Sequence, residues 1–86
     1  MKNELDNRLI LSVFDKISKH GKIVQGCFLL DGIKAYTDHD GYTLFIEDAL
    51  VQLQLGFHNQ YHFNYDKKEH REQFEKKLKQ IIANYS

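Results

Sequence analysis

The chain of 86 residues has no proline, no tryptophan, a single cysteine and no excess charge, its twelve Lys and Arg balancing twelve Asp and Glu. Each absence excludes something. Cys27 alone cannot close an internal disulfide, whereas small secreted domains are usually stapled by several. A net charge of zero leaves no basic stripe to neutralise a nucleic-acid backbone, and gives no attraction to an anionic membrane surface. No apolar run approaches the roughly 20 residues that span a bilayer. Asp6 and Arg8 interrupt the first apolar stretch, which therefore lacks the pattern of a signal peptide. The glycines stand singly, so neither GxGxxG nor GxxxxGK[ST] occurs, and HExxH, CxxC and EF-hand patterns are missing too. Without repeats, low-complexity tracts or linkers, residues 1–86 read as one domain of a cytoplasmic protein, without a cofactor and with neither membrane nor nucleic acid as partner. A chain this short buries only about 60% of its unfolded surface, so its core must be used economically.

What is present is patterned. Leu5, Leu9, Ile10, Val13, Phe14 and Ile17 recur at the i, i+3, i+4 spacing of one helical face, which predicts a helix over residues 4 to 20. Asn3 is a candidate N-cap, Glu4 and Asp6 suit the positive end, and Lys16, Lys19 and His20 suit the negative end. Gly21 follows, where a left-handed residue often closes a helix. Leu11 falls off the stripe. A second helix is predicted over residues 67 to 84, with Asp66 as N-cap, Glu69 three positions on as in a capping box, and Phe74, Leu78, Ile81, Ile82 and Tyr85 as its apolar stripe. Its first two turns are almost wholly charged and are expected to project beyond the core.

Between the helices the pattern predicts five strands. Asp-Gly is a strong two-residue hairpin signal, because both central positions of a type I′ turn need positive φ. Turns at Asp31-Gly32, Asp40-Gly41, Asp48-Ala49 and His58-Asn59-Gln60 set Leu30 against Ile33, Ala35 against Ile46, Leu44 against Leu53, Tyr42 against Leu55, and Phe57 against Tyr61. Opposed residues share a sheet face. One face then carries Phe28, Leu30, Ile33, Ala35, Tyr42, Leu44, Ile46, Val51, Leu53, Leu55, Phe57, Tyr61, Phe63 and Tyr65. A slip of one residue at any turn would break the set. The expected fold is α+β: a five-stranded antiparallel meander with N-terminal and C-terminal helices packed on one face (α-β5-α).

The other face is the functional question. It should carry Ile23, Cys27, Leu29, Lys34, Tyr36, Thr43, Phe45, Gln52, Gln54, Gln60, His62 and Asn64. Cys27, Tyr36 and Phe45 would lie side by side, with Leu29 nearby and polar residues beyond. A sheet with one solvated face and scattered apolar residues needs no further explanation. A contiguous Tyr-Phe-Leu patch with a polar rim also has the composition of an interface core. The expected interaction surface is therefore Cys27, Leu29, Tyr36, Phe45, Gln52, Gln54 and His62, in a non-enzymatic domain that meets a protein partner or a second copy of itself.

Rival chemistries are weaker. Cys27 and His62 share the face, but four strand spacings of about 4.8 Å place them about 19 Å apart, far beyond the reach a nucleophile and its base need. Metal binding is the first alternative, with His39, His58, Asp38 and Asp40 as ligands and His20 expected at the same end. Asp-His-Asp-Gly is equally the composition of a hairpin turn. Single-stranded nucleic acid could stack on Tyr36, Phe45 and His62, although the face is expected to offer only Lys34 as a cation. The lysines and Arg71 of the last helix alternate with Glu69, Glu72 and Glu75, as on a solvated, self-paired face.

Three segments carry a resemblance: Asp38-His39-Asp40-Gly41-Tyr42-Thr43-Leu44, Phe57-His58-Asn59-Gln60-Tyr61, and the helix that reads Leu-Ile-Leu-Ser-Val-Phe-Asp-Lys-Ile. Together they resemble a short gammaproteobacterial family, domain of unknown function 3081, over nearly the whole chain. The resemblance implies a bacterial cytoplasmic protein. It assigns no activity, cofactor or site residue.

Overall fold

Two helices and six strands follow one another in the computed structural model, which describes residues 7–56 and 60–85. The order is α1 (Asn7–His20), β1 (Lys22–Val24), β2 (Cys27–Leu30), β3 (Ile33–Thr37), β4 (Leu44–Glu47), β5 (Val51–Leu55), β6 (Tyr61–Tyr65) and α2 (Lys68–Asn84). Every strand pairs antiparallel with its chain neighbour, giving one open sheet in the order β1-β2-β3-β4-β5-β6. The expected α+β meander with terminal helices is what forms, with one strand more than expected.

The extra strand comes from a turn the residue types conceal. Gln25 (φ 52°) and Gly26 (φ 81°) form a tight hairpin between β1 and β2, with both central residues at the positive φ of a type I′ turn. Glutamine is not a usual occupant of such a position, so residues 22–30 read as one continuous strand. The hairpin reverses the alternation before it. Ile23 pairs with Phe28 and belongs to the helix side of the sheet, not to the open side, while Lys22 and Val24 join the open side.

Two further turns sit one residue from their expected places. At Asp48 the two-residue tip is Ala49-Leu50, not Asp48-Ala49, because Asp48 Oδ1 accepts the backbone N–H groups of Leu50 at 2.8 Å and Val51 at 2.9 Å. The carboxylate thus organises the turn from its first position. Leu44 therefore pairs with Leu55 and Ile46 with Leu53, not with Leu53 and Val51. After β5, the Gly56 N–H donates to Gln60 O at 2.8 Å, and Leu55 pairs with Tyr61. The expected Phe57–Tyr61 pair is thereby replaced, and Phe57, His58 and Asn59 lie outside the described residues, as do Asn3, Glu4, Leu5 and Asp6. Moving a hairpin tip by one residue changes the pairing by two, so the faces keep their parity. The Asp31-Gly32 and Ala35–Ile46 pairings stand as expected. Tyr42 does not: it lies in the loop beyond β3 and is 67% exposed.

The covered face is apolar, and among the described residues no polar residue is fully buried. Ile33, Ala35, Ile46, Val51, Leu53 and Leu55 from the sheet are buried against Ile10, Val13 and Ile17 of α1 and Phe74, Leu78 and Ile81 of α2. The helix α1 lies over β2 and β3, and α2 lies over β5 and β6 and against α1. Gly21 ends α1 for a reason other than positive φ. Its N–H donates to Ile17 O at 2.8 Å, and a Cβ there would meet the backbone oxygens of Ile17 and Leu29 at 2.6 Å. Glycine is required by close approach of two backbones.

The N-cap of α2 is Lys67, in extended conformation and without a side-chain cap bond, in place of Asp66. Nor does the charged start of α2 simply project. The Arg71 guanidinium lies 4.1 Å from the centroid of the Phe63 ring, and its Nε donates to Glu75 at 2.8 Å. It closes the β6 end of the core as a flat, stacked lid.

Candidate functional site

Neither helix touches the other face of the sheet. The register arranges its side chains in two rows that cross all six strands. One row is Val24, Cys27, Tyr36, Phe45, Gln54 and His62; the other is Lys22, Leu29, Lys34, Glu47, Gln52 and Asn64. All seven residues expected on this surface lie on it: Cys27, Leu29, Tyr36, Phe45, Gln52, Gln54 and His62. Ile23, expected here, is on the opposite side, where it is 74% exposed because β1 reaches beyond the helices.

The rows are polarised. Among the described residues, the four strands β1–β4 hold every apolar side chain of the face. The other two, β5 and β6, carry Gln52, Gln54, His62 and Asn64. At the centre the rings of Tyr36 and Phe45 stack, 4.8 Å between centroids and 14° between planes. Such a pair adds about 0.5–1.5 kcal/mol beyond its area. Around it runs a side-chain ladder. The Tyr36 hydroxyl donates to Glu47 Oε1 at 2.9 Å, Gln52 Nε2 donates to the same oxygen at 3.0 Å, and Asn64 Nδ2 donates to Gln52 Oε1 at 3.2 Å. Partial burial and the bond to Glu47 push the Tyr36 phenol above its ordinary value of 10, since both disfavour a phenolate beside a carboxylate.

Glu47, Lys22 and Val24 were missed by the sequence reading. Alternation from buried Ile46 would have placed Glu47 here. The other two were hidden by the unread Gln25-Gly26 turn. Val24 and Leu29 are 44% and 38% exposed, and no helix or loop of the described residues shields them.

The residues of the alternative metal site do not converge. Asp38 Oδ1 accepts the N–H groups of Tyr42 at 3.0 Å and Thr43 at 3.3 Å, and Gly41 N–H donates to Asp38 O at 3.1 Å. This is hairpin architecture. His39 and Asp40 are exposed, and His58 is outside the described residues. His20 is not at this end at all. The extra β1–β2 hairpin turns α1 so that the His20 ring lies against that of Tyr85, 5.0 Å between centroids and tilted by 34°, beside the Asp31 turn that the Tyr85 hydroxyl reaches at 3.2 Å. Among the described residues no three His, Cys, Asp or Glu groups are placed to hold a metal ion. Cys27 and His62 occupy β2 and β6, four spacings apart, about 19 Å.

A shallow groove of about 630 Å³ lies elsewhere, along α2, lined by Tyr65, Lys68, Arg71, Glu72, Glu75, Lys76 and Lys79. Its lining carries charges of both signs, with Arg71 and Glu75 paired at 2.8 Å, which makes it a solvated face, not a ligand cleft. No described helix is long and apolar enough to cross a membrane.

No match is found among curated proteins or among solved structures. The model of a family described as a protein of unknown function, DUF3081, matches residues 5–86. The match takes in both helices and the whole sheet, and the chain belongs to that family.

Proposed function

We propose that this chain is a non-enzymatic protein-interaction module whose docking surface is the open face of the sheet. The single observation that carries the reading is the Tyr36–Phe45 stack, 4.8 Å between centroids, set at the centre of a face that neither described helix covers. Rigid aromatics flanked by apolar side chains and rimmed by amides have the composition of interface anchors. The hydrogen-bonded ladder from Tyr36 to Asn64 holds the rings in place before any partner arrives, which lowers the ordering cost of association. A reacting group would need a base within reach and a cleft that excludes water. The face is shallow, and its thiol and imidazole are strands apart.

The test is a paired variant, Tyr36→Ser with Phe45→Ser. Association, with itself by light scattering or with proteins captured on the immobilised chain, should be lost while thermal unfolding stays cooperative. Unchanged association by a folded double variant would place the interface elsewhere.

A further inference from the structure

The two rows of the open face are self-complementary about one particular axis. Take a two-fold axis in the plane of the face, parallel to the strands, between β2 and β3. The rotation lays β2 over the partner's β3 and β1 over the partner's β4. Row meets row without a shift. Cys27 comes opposite the partner's Tyr36, Val24 opposite the partner's Phe45, Leu29 opposite the stem of the partner's Lys34, and Lys22 opposite the partner's Glu47. Every apolar residue of the face is then covered, and the one acidic residue meets a lysine that makes no ion pair among the described residues. The polar β5–β6 part of the face falls outside the contact and stays solvated.

We propose that the occupant of the open face is a second copy of this chain, docked through β1–β4 about that axis with reciprocal Lys22–Glu47 pairs. This rests on the reading of the open face as an interaction surface and adds its partner. Two observations support it independently: the apolar residues are confined to the four strands centred on the axis, and the charges at the ends of that contact are opposite. A two-fold contact must be self-complementary in this sense, because each residue that touches another is touched by it in return. Four strands about 4.8 Å apart, carrying two side-chain rows about 7 Å apart, make a patch on the order of 300 Å². That is less than the ≈ 800 Å² per partner of a standard interface, so the dimer is weak and dissociates on dilution.

The experiment uses charge-reversal variants and light scattering across a dilution series. Lys22→Glu and Glu47→Lys each place like charges together twice per dimer, and each should weaken self-association about tenfold or more. An equimolar mixture of the two single variants should recover a dimer at least several-fold tighter than either variant forms alone, since each mixed pair restores opposite charges in both contacts; it stays short of wild type because Glu47→Lys also loses the Tyr36 hydrogen bond. The same recovery is expected when both changes are in one chain, and circular dichroism checks that each variant is folded. Recovery in the mixture supports the axis. No recovery from two folded variants overturns it, as does recovery of Glu47→Lys by Lys34→Glu in place of Lys22→Glu, which would move the axis to lie between β3 and β4. A wild-type chain that stays monomeric at millimolar concentration overturns the self-association while leaving the face open to a different protein. A dimer that survives Tyr36→Ser with Phe45→Ser overturns the open-face reading itself.

Discussion

The two faces of the sheet are built from the same alternating strands and differ in what organises them. The covered face is apolar from β2 to β6, aliphatic at its centre and aromatic at Phe28, Tyr61 and Phe63, and it holds the helices chiefly by burial. The open face changes character between β4 and β5, from Val24, Leu29, Tyr36 and Phe45 to amides and imidazole, and its order comes from a ring stack and side-chain hydrogen bonds. Burial without direction suits a core, where any well-packed partner will do. Directional bonds on an uncovered face hold side chains in set positions against solvent. The difference separates what keeps this molecule folded from what it offers outward.

Neighbours on β4 test the comparison most sharply. Ile46 is fully buried between the helices, and Ile46→Ala should cost about 4 kcal/mol of unfolding free energy in urea. Phe45→Ala, one residue away on the other face, should cost under about 2 kcal/mol and act chiefly on association. Equal losses would mean that the open face belongs to the core.

Turns give the next largest effects. Gly21→Ala drives a Cβ into two backbone oxygens and should destabilise by about 3 kcal/mol. Gly26→Ala meets no atom within 4 Å and bears only the positive-φ cost of about 1–2 kcal/mol. The reverse order in thermal unfolding would contradict the close approach of α1 and β2. Asp48→Ala removes the acceptor of two backbone N–H groups and the Lys77 contact at 3.5 Å, for about 2 kcal/mol.

At the edge of the covered face, Arg71→Lys keeps the charge and loses the planar stack on Phe63. It should lower stability by about 1 kcal/mol, whereas Lys76→Ala on the outer side of α2 should leave the midpoint unchanged. The smallest effect is alkaline. The raised Tyr36 phenol favours the neutral form in the fold, so its share of stability is whole below pH 10 and lost as pH rises through the raised value. Ultraviolet titration of Glu47→Gln should bring this tyrosine back toward 10.

Much of this arrangement was legible in the residues because strand alternation has a period of two. Parity survives a turn misplaced by one residue, as at Asp48 and again after β5, so the core and all seven open-face residues emerged although two registers were displaced. Parity fails where a turn goes unread, as at Gln25-Gly26, and there Ile23 was put on the wrong face and Lys22 and Val24 were lost. Composition marks a turn only when its residues prefer positive φ, and glutamine does not. The Arg71 lid and the Glu47 ladder were also out of reach. Both depend on which long side chain bends toward which neighbour, and spacing along the chain carries no information about that.

The most direct test of the outward-facing role is the solution mass over a dilution series, for the wild-type chain and for Tyr36→Ser with Phe45→Ser. The account predicts a wild-type mass that rises with concentration toward twice 10.2 kDa, and a double variant that stays at the monomer mass while unfolding cooperatively. A wild-type chain that remains monomeric at the highest concentration would contradict the self-association, and a double variant that associates as strongly as the wild type would contradict the open face as the contact surface.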